Sequence, residues 1–292
     1  MAAVGILGGA GLVGAGMMRD GSGGTLPIAS FGNSSARKTS PAGPSPEELA
    51  AQERAKRAKA LNAELTKYAA TVPEFSVAVL DKKTGQKYSF RGTKKYDTAS
   101  VVKVQVLACL LLTAQDKGRE LTTNQLALAR RMITLSDNNA TTSLFQSLGR
   151  QSAITACNKR LGLTQTTVNS AWGLTRTTVD DQLRLLSELV DPNGPLDADS
   201  RKLANTLMSQ VDRSQRWGVP AVAKASEKFT VKNGWDTRSK DNGLWVINSV
   251  GRVTGGNTDV SIAVLSRGHQ AMPNGIAVVE KVAKMSRQYL KY

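Results

Sequence analysis

The chain has 292 residues and a mass of 31.1 kDa, room for one large or two small domains. Its 40% apolar and 21% charged residues can build a core and exclude wholesale disorder, and 39 basic against 23 acidic residues (net +16) favour an anionic partner such as nucleic acid, a membrane surface or a wall polymer. One histidine excludes a multi-histidine metal site and two cysteines exclude a disulfide scaffold or a four-cysteine metal centre, which leaves Ser, Thr or Lys to run any nucleophilic chemistry.

Residues 2–18 carry no charge and precede Arg19. As a helix they would reach roughly 25 Å, short of the roughly 30 Å hydrocarbon core of a bilayer. They read as a secretory signal or a short anchor, although the usual basic start is missing. Gly9-Ala10-Gly11-Leu12-Val13-Gly14 matches a dinucleotide fingerprint, but no acidic residue occurs between Asp20 and Glu47 to meet a ribose. Residues 19–45, rich in Gly, Ser and Pro, read as a flexible linker.

The folded domain is expected over 46–292. Ser45 as N-cap, Pro46 at the first helical position and Glu47-Glu48 in the first turn start a helix that runs to about Ala69. Phe75–Asp81 and Gln86–Arg91 form a hairpin around Lys82–Gly85, so the literal Lys83-Thr84-Gly85 is turn chemistry. Residues 100–115 are apolar nearly all round and predict a central, buried helix. Helices follow at about 123–135, 138–148, 151–161, 178–190 and 198–211. Strands Phe229–Trp235, Gly243–Val250 and Asp259–Leu265 and a last helix near 274–290 complete the order. The expected fold is α+β: a five-stranded antiparallel sheet faced by the terminal helices, with an all-helical lobe inserted. The α/β lobe takes about 46–97 and 212–292, and the helical lobe about 98–211.

Three short patterns carry chemistry together. Ser100-Val101-Val102-Lys103 opens the apolar helix, and a spacing of three puts hydroxyl and amine on one face. An amine among Val and Leu has its charged form disfavoured and can serve as a base; the plainer reading is a serine helix start with a lysine reaching solvent. Ser136-Asp137-Asn138 joins two helices, and Ser, Asp and Asn also cap helices freely. Lys232-Asn233-Gly234-Trp235 ends a strand, where glycine lets a substrate backbone lie alongside, or marks a simple turn exit. Ser35-Ala36-Arg37-Lys38 repeats the first pattern inside the linker, with nothing to hold it in reactive geometry.

In order, S-x-x-K, S-D-N and K-x-G resemble the signatures of penicillin-recognising serine enzymes, nearest to the class A β-lactamase-like group. The resemblance covers about 46–292 and implies the β-lactamase-like fold. It implies Ser100 as acylated nucleophile, Lys103 as general base and Ser136 as proton relay to the leaving nitrogen. Asn138 would hold a substrate amide, and Lys232 would support Ser136 and attract a substrate carboxylate. Asn233, Gly234 and Trp235 would bind substrate, and the N–H groups of Ser100 and Trp235 would form an oxyanion hole. The middle position of the third motif is usually Thr or Ser, where this chain has Asn233. The group also places a glutamate after S-D-N to activate the deacylating water, yet no Asp or Glu occurs from Asn138 to Val179. Asp180 and Asp181 read as first-turn helix acids facing solvent.

His269 is expected in a solvated turn, and Cys109 and Cys157 as buried free thiols, with export permitting a disulfide. The basic excess lacks the aromatic interleaving of a nucleic-acid surface and reads as attraction to wall polymer or membrane. The expected function is an exported or envelope-bound serine acyl-enzyme hydrolase with slow deacylation, acting on an amide or β-lactam bond of a small molecule or wall peptide. No cofactor, no metal, no nucleic acid and a monomeric state are expected. The alternative is a non-catalytic protein that keeps the fold to bind peptidoglycan or antibiotic; a glutaminase of the same superfold fits an exported chain less well.

Overall fold

A computed structural model describes residues 43–292. The expected signal at 1–18, most of the linker and both motifs within them lie outside the described residues. Helix α1 spans Pro46–Ala69 and begins with a capping box, in which Ser45 and Glu48 satisfy each other's backbone N–H groups. Strands β1 (Phe75–Asp81) and β2 (Gln86–Phe90) form the hairpin, and Gly85 takes φ +69° in its turn. A short β3 (Tyr96–Asp97) leads into α2 (Val102–Asp116), followed by α3 (Thr123–Thr134), α4 (Asn138–Ser147) and α5 (Arg150–Arg160). Two-residue β4 (Arg176–Thr177) pairs with β3 ahead of α6 (Val179–Glu188) and α7 (Ala198–Ser209). Strands β5 (Lys228–Arg238), β6 (Leu244–Gly255) and β7 (Thr258–His269) and helix α8 (Met272–Leu290) end the chain.

The sheet order is β2-β1-β7-β6-β5, antiparallel throughout, with β5 at an edge. Strand alternation divides its side chains between two cores. Phe75, Val77 and Val79 of β1 and Val260, Ile262 and Val264 of β7 pack with Leu61 and Leu65 of α1 and Val279 and Val282 of α8. Ala78, Ala263 and Leu265, on the other face, pack with α2 and the helices around it. Helix α2 is buried from Val102 to Leu112, as an all-round apolar sequence requires. The last three strands run longer than their apolar stretches. Polar positions such as Arg252 and Asp259, diagonal neighbours across the β6–β7 ladder and ion-paired at 2.6 Å, continue them.

Two expectations are corrected. Cys109 of α2 and Cys157 of α5 are joined as a disulfide, with Cα atoms 5.8 Å apart. Two facing positions on packed helices bring together residues 48 apart, which no local pattern could reveal. His269 is not in a solvated turn but at the end of β7, 1% exposed beneath α8, because the strand runs on through residues 266–269. Its Nε2 lies 2.9 Å from Ser266 Oγ, which itself donates to the Ile247 carbonyl, so Nε2 carries the proton and Nδ1 is left unpartnered.

Burial pushes the His269 imidazole down to about 4. Between that value and its ordinary 6.5 the unfolded chain binds the extra proton, so this residue's contribution is complete above pH 6.5 and lost as pH falls towards 4. At 1.36 kcal/mol per pH unit the ceiling is about 3 kcal/mol. Denaturant unfolding at pH 7 and pH 4.5 should show the wild type losing at least about 1 kcal/mol more than His269→Gln; parallel losses would contradict the assignment.

Candidate active site

The start of α2 is built under strain and held by clamps. Ala99 takes φ +44°, a left-handed conformation that costs a non-glycine residue of order 1 kcal/mol or more. Residues 99–101 then form a 3₁₀ turn that carries Ser100 into the helix. Asn248 of β6 donates its amide to the carbonyls of Asp97 (2.9 Å) and Thr98 (3.0 Å) and accepts from Ser266 N–H. Thr98 N–H donates to Thr175 O at 2.8 Å. The buried Arg238 of β5 donates to Asp97 at 2.8 Å and to Gly173 O at 3.3 Å. The residues before Ser100, the sheet and the 173–175 loop are thereby fixed to one another.

Ser136 is the meeting point. It too has positive φ (+58°), between α3 and the start of α4, whose N-cap Asp137 accepts from Ala140 N–H and pairs with Arg131. That conformation turns both oxygens of Ser136 inward. Lys103 Nζ donates to Ser136 O (2.6 Å), Ser136 Oγ (3.1 Å) and Asn138 Oδ1 (2.7 Å). Lys232 Nζ reaches the same Oγ at 3.0 Å, together with Asn233 O (3.0 Å) and Gln215 Oε1 (3.5 Å). Both lysines are fully buried. Burial pushes the Lys103 amine down to about 7, with the Asp137 carboxylate pulling weakly the other way. Burial, and then the neighbouring Lys103, hold Lys232 well below the ordinary lysine range.

Gly234 lets the edge strand press onto this site. A Cβ there would lie 2.7 Å from Thr98 O and 2.8 Å from Ser100 N, so no other residue fits. Lys232 and Gly234 face the helices; Asn233, by alternation, faces the reverse side with Val231. Its amide donates to Gln215 O (2.7 Å) and Trp217 O (3.0 Å). The expectation that Asn233 presents its side chain to substrate is corrected for that reason. A cleft of about 310 Å³ opens beside Ser100, lined also by Asn138, Trp172, Leu174, Trp235 and Asp236.

The loop before α6 departs from expectation in two places. Asp181 does not face solvent: it is buried and accepts from Gln165 N–H (2.9 Å) and Thr166 Oγ1 (2.6 Å), pinning the loop's start. Asp180 pairs with Lys87 at 3.0 Å and Ser89 at 2.9 Å on β2. The loop residue that reaches the site is Trp172, whose ring centre lies 5.0 Å from Lys103 Nζ and whose indole N–H donates to Thr142. Nothing in the local sequence marked Gln215 or Asn248, which enter only through tertiary placement.

The beta-lactamase enzyme family model matches residues 56–125 and 111–290, nearly the whole described region. The chain belongs to the beta-lactamase enzyme family. Among curated proteins it is similar to "Putative lipoprotein LppW" of Mycobacterium tuberculosis and Mycobacterium bovis, 30% identical over 168 residues. That match takes 55% of this chain and 53% of the relative, so the chain spans about half the length of the curated relatives it matches. Solved structures share the fold at lower identity. The extended-spectrum β-lactamase TLA-1 gives a TM-score of 0.72 at 17% identity, covering 80% of this chain and 99% of that one. PBP-A gives 0.69 at 19%, covering 80% and 96%. The chromosome-encoded β-lactamase of Vibrio parahaemolyticus gives 0.67 at 16%, covering 79% and 99%.

The family's β-lactamase fold therefore holds in this chain even though its middle residue in the third motif has turned away. The close approach at Gly234 supplies a test. Gly234→Ala should displace the edge strand from the head of α2 and lower the rate of any Ser100 modification by roughly 10²-fold, the worth of a 1 Å misplacement. Adduct formation followed by intact-protein mass spectrometry measures it, and an unchanged rate would show that strand and helix move independently.

Proposed function

We propose that this protein is a serine acyl-enzyme hydrolase of the cell envelope, acylated at Ser100 by an amide or β-lactam carbonyl and deacylated slowly. One observation carries the reading: Lys103 of α2, three residues after Ser100, and Lys232 of β5 converge on the hydroxyl of Ser136 at the α3–α4 junction. Lys103, with an amine near neutrality at physiological pH, takes the Ser100 proton as Oγ attacks the carbonyl carbon. The C–N bond breaks, and Ser136 passes a proton to the leaving nitrogen while Lys232 supports its hydroxyl. The N–H groups of Ser100 and Trp235 face the developing oxyanion.

Release of the ester requires a deprotonated water, and the loop offers an indole where a carboxylate would serve. A variant of PBP-A, which shares the fold, is described as an acyl-enzyme complex with penicillin G. The Cys109–Cys157 disulfide suits an oxidising compartment, and the curated relative named as a lipoprotein supports the envelope. A non-catalytic, ligand-binding role is the second reading. It is favoured by Lys103 donating to Ser136 and Asn138 with no hydrogen bond to Ser100.

Labelling separates the two readings. A fluorophosphonate or a penicillin should modify Ser100, Ser100→Ala should abolish the adduct, and Lys103→Ala should slow its formation by about 10²–10⁴. Adduct surviving in Ser100→Ala would remove the proposal. The acylation rate should rise with pH through about 7 as Lys103 loses its proton and level off above, so a rate flat from pH 5.5 to 8.5 would exclude Lys103 as the base. The penicillin adduct should persist, giving a burst without fast turnover. Trp172→Glu should shorten its lifetime, and an unchanged lifetime would show that the missing carboxylate is not what limits release.

A further inference from the structure

The layer between the sheet and helices α1 and α8 is not filled to its end. Ala51, Ala55 and Ala58 recur at spacings of four and three and continue the stripe of Leu61 and Leu65, which are fully buried in the core. Where the leucines fill the space above the sheet, the alanines leave it open. A cavity of about 230 Å³ lies there, on the opposite face of the sheet from α2. Val79 and Tyr88, paired across the β1–β2 hairpin, form its floor, and Leu290 and Tyr292 close one side. None of these residues lines the Ser100 cleft. Three polar atoms at the cavity are buried without a partner among the described residues: Arg54 Nε, Tyr88 Oη and Tyr292 Oη. A guanidinium N–H can only donate, and burial raises both phenols above their ordinary range, so they keep their protons and can donate as well. Two other ionised side chains line the cavity, and both are taken up elsewhere. Asp81 accepts from the Lys83 N–H and the Thr84 hydroxyl, each at 2.9 Å, within the hairpin turn, and Lys87 pairs with Asp180 at 3.0 Å.

We infer that this cavity is a binding site for a small aryl carboxylate, with the ring among Ala55, Val79 and Leu290 and the carboxylate received by Arg54, Tyr88 and Tyr292. Buried donors left unmatched are costly, and one carboxylate has lone pairs enough for all three. A neutral group would leave the guanidinium without its counter-charge, and a cation would meet donors alone. Size sets the rest of the ligand. An apolar cavity of about 150 Å³ holds benzene, so this one takes a ring with a short acid side chain. The site stands on the α1/α8 face of the sheet and is independent of the acyl-enzyme reading.

The test is calorimetric titration of the full chain with phenylpropionate and, in parallel, with its amide and with phenylpropylamine. The carboxylate should bind one-to-one, at least tenfold more tightly than the amide, the order of a charge-assisted hydrogen bond, and the amine should not bind. Arg54→Met should weaken phenylpropionate at least tenfold. Ala55→Leu, which fills the space from a helix position that favours leucine, should abolish binding; should that variant not fold, Tyr88→Phe takes its place, with a loss of at least fivefold. Ser100→Ala should bind as the wild type does, which separates this cavity from the catalytic cleft. Four results would each overturn the inference: no saturable binding at millimolar probe, which leaves water alone in the cavity; an amide that binds as tightly as the acid; affinity unmoved in folded Arg54→Met or Ala55→Leu; or binding lost in Ser100→Ala. Labelling of Ser100 by fluorophosphonate is read separately and bears only on the acyl-enzyme proposal.

Discussion

Two lysine side chains buried without a carboxylate partner meet at one serine oxygen, and the rest of the site is arranged to make that tolerable. An unpaired ammonium inside a protein is disfavoured by several kcal/mol after relaxation. Asp137, the nearest acid in sequence, is turned to cap α4 and to pair with Arg131. What remains is neutral acceptors, which cost little to bury once hydrogen-bonded and leave the amines easy to deprotonate. The arrangement therefore lowers proton affinity and positions Lys103 through the same contacts. A carboxylate in place of Asn138 would hold the lysine charged.

That arrangement requires backbone that ordinary side chains avoid. Ser136 can offer Lys103 both its carbonyl and its hydroxyl only from a left-handed conformation, and Ala99 must bend the chain sharply so that the 3₁₀ turn faces β5. Such residues cost of order 1–3 kcal/mol each and persist where their surroundings over-determine them. Here the surroundings are identifiable. Asn248 holds the carbonyls on the N-terminal side of Ala99, Arg238 ties Asp97 to the loop carbonyl of Gly173, and the Cys109–Cys157 disulfide anchors α2 to α5 from behind. Gly234 sets the spacing, since any larger residue would drive the sheet and the helix apart.

The sequence made much of this legible because local patterns coincide with the elements. The Ser45 capping box, the alternation in β1 and the unbroken apolar run of α2 each act within a few residues, and they place S-x-x-K and S-D-N on the right elements without tertiary information. The failures share the opposite property. Cys109 meets Cys157 only because α2 packs on α5. His269 is buried because β7 extends past its apolar stretch and α8 covers it. The third motif predicts Asn233 at substrate along with its neighbours; a two-residue repeat sends its side chain to the far face, where it meets the backbone carbonyls of 215 and 217. Trp172 sits in a loop of unremarkable composition and matters only through the lysine it covers.

In the proposed acyl-enzyme reading, the loop carrying Trp172 would account for a halt at the ester. A loop that delivers a base must leave a carboxylate free and hold it near the reacting carbon. Here the two acids that follow the loop are committed to holding structure: Asp181 to the Gln165 N–H and Thr166 hydroxyl, Asp180 to Lys87 and Ser89 on the far hairpin. Releasing either would loosen the loop that positions Trp172 and, through Thr175 O and Gly173 O, the residues leading to Ser100. The indole, tied to Thr142, faces Lys103 with a surface that attracts its charge but cannot accept a proton from water. In that reading acylation and deacylation would depend on different elements of this fold. Ser100, Lys103 and Ser136 would there serve the first step, while the two acids that follow the loop, Asp180 and Asp181, are taken up in holding the scaffold and leave the loop without a base for the second.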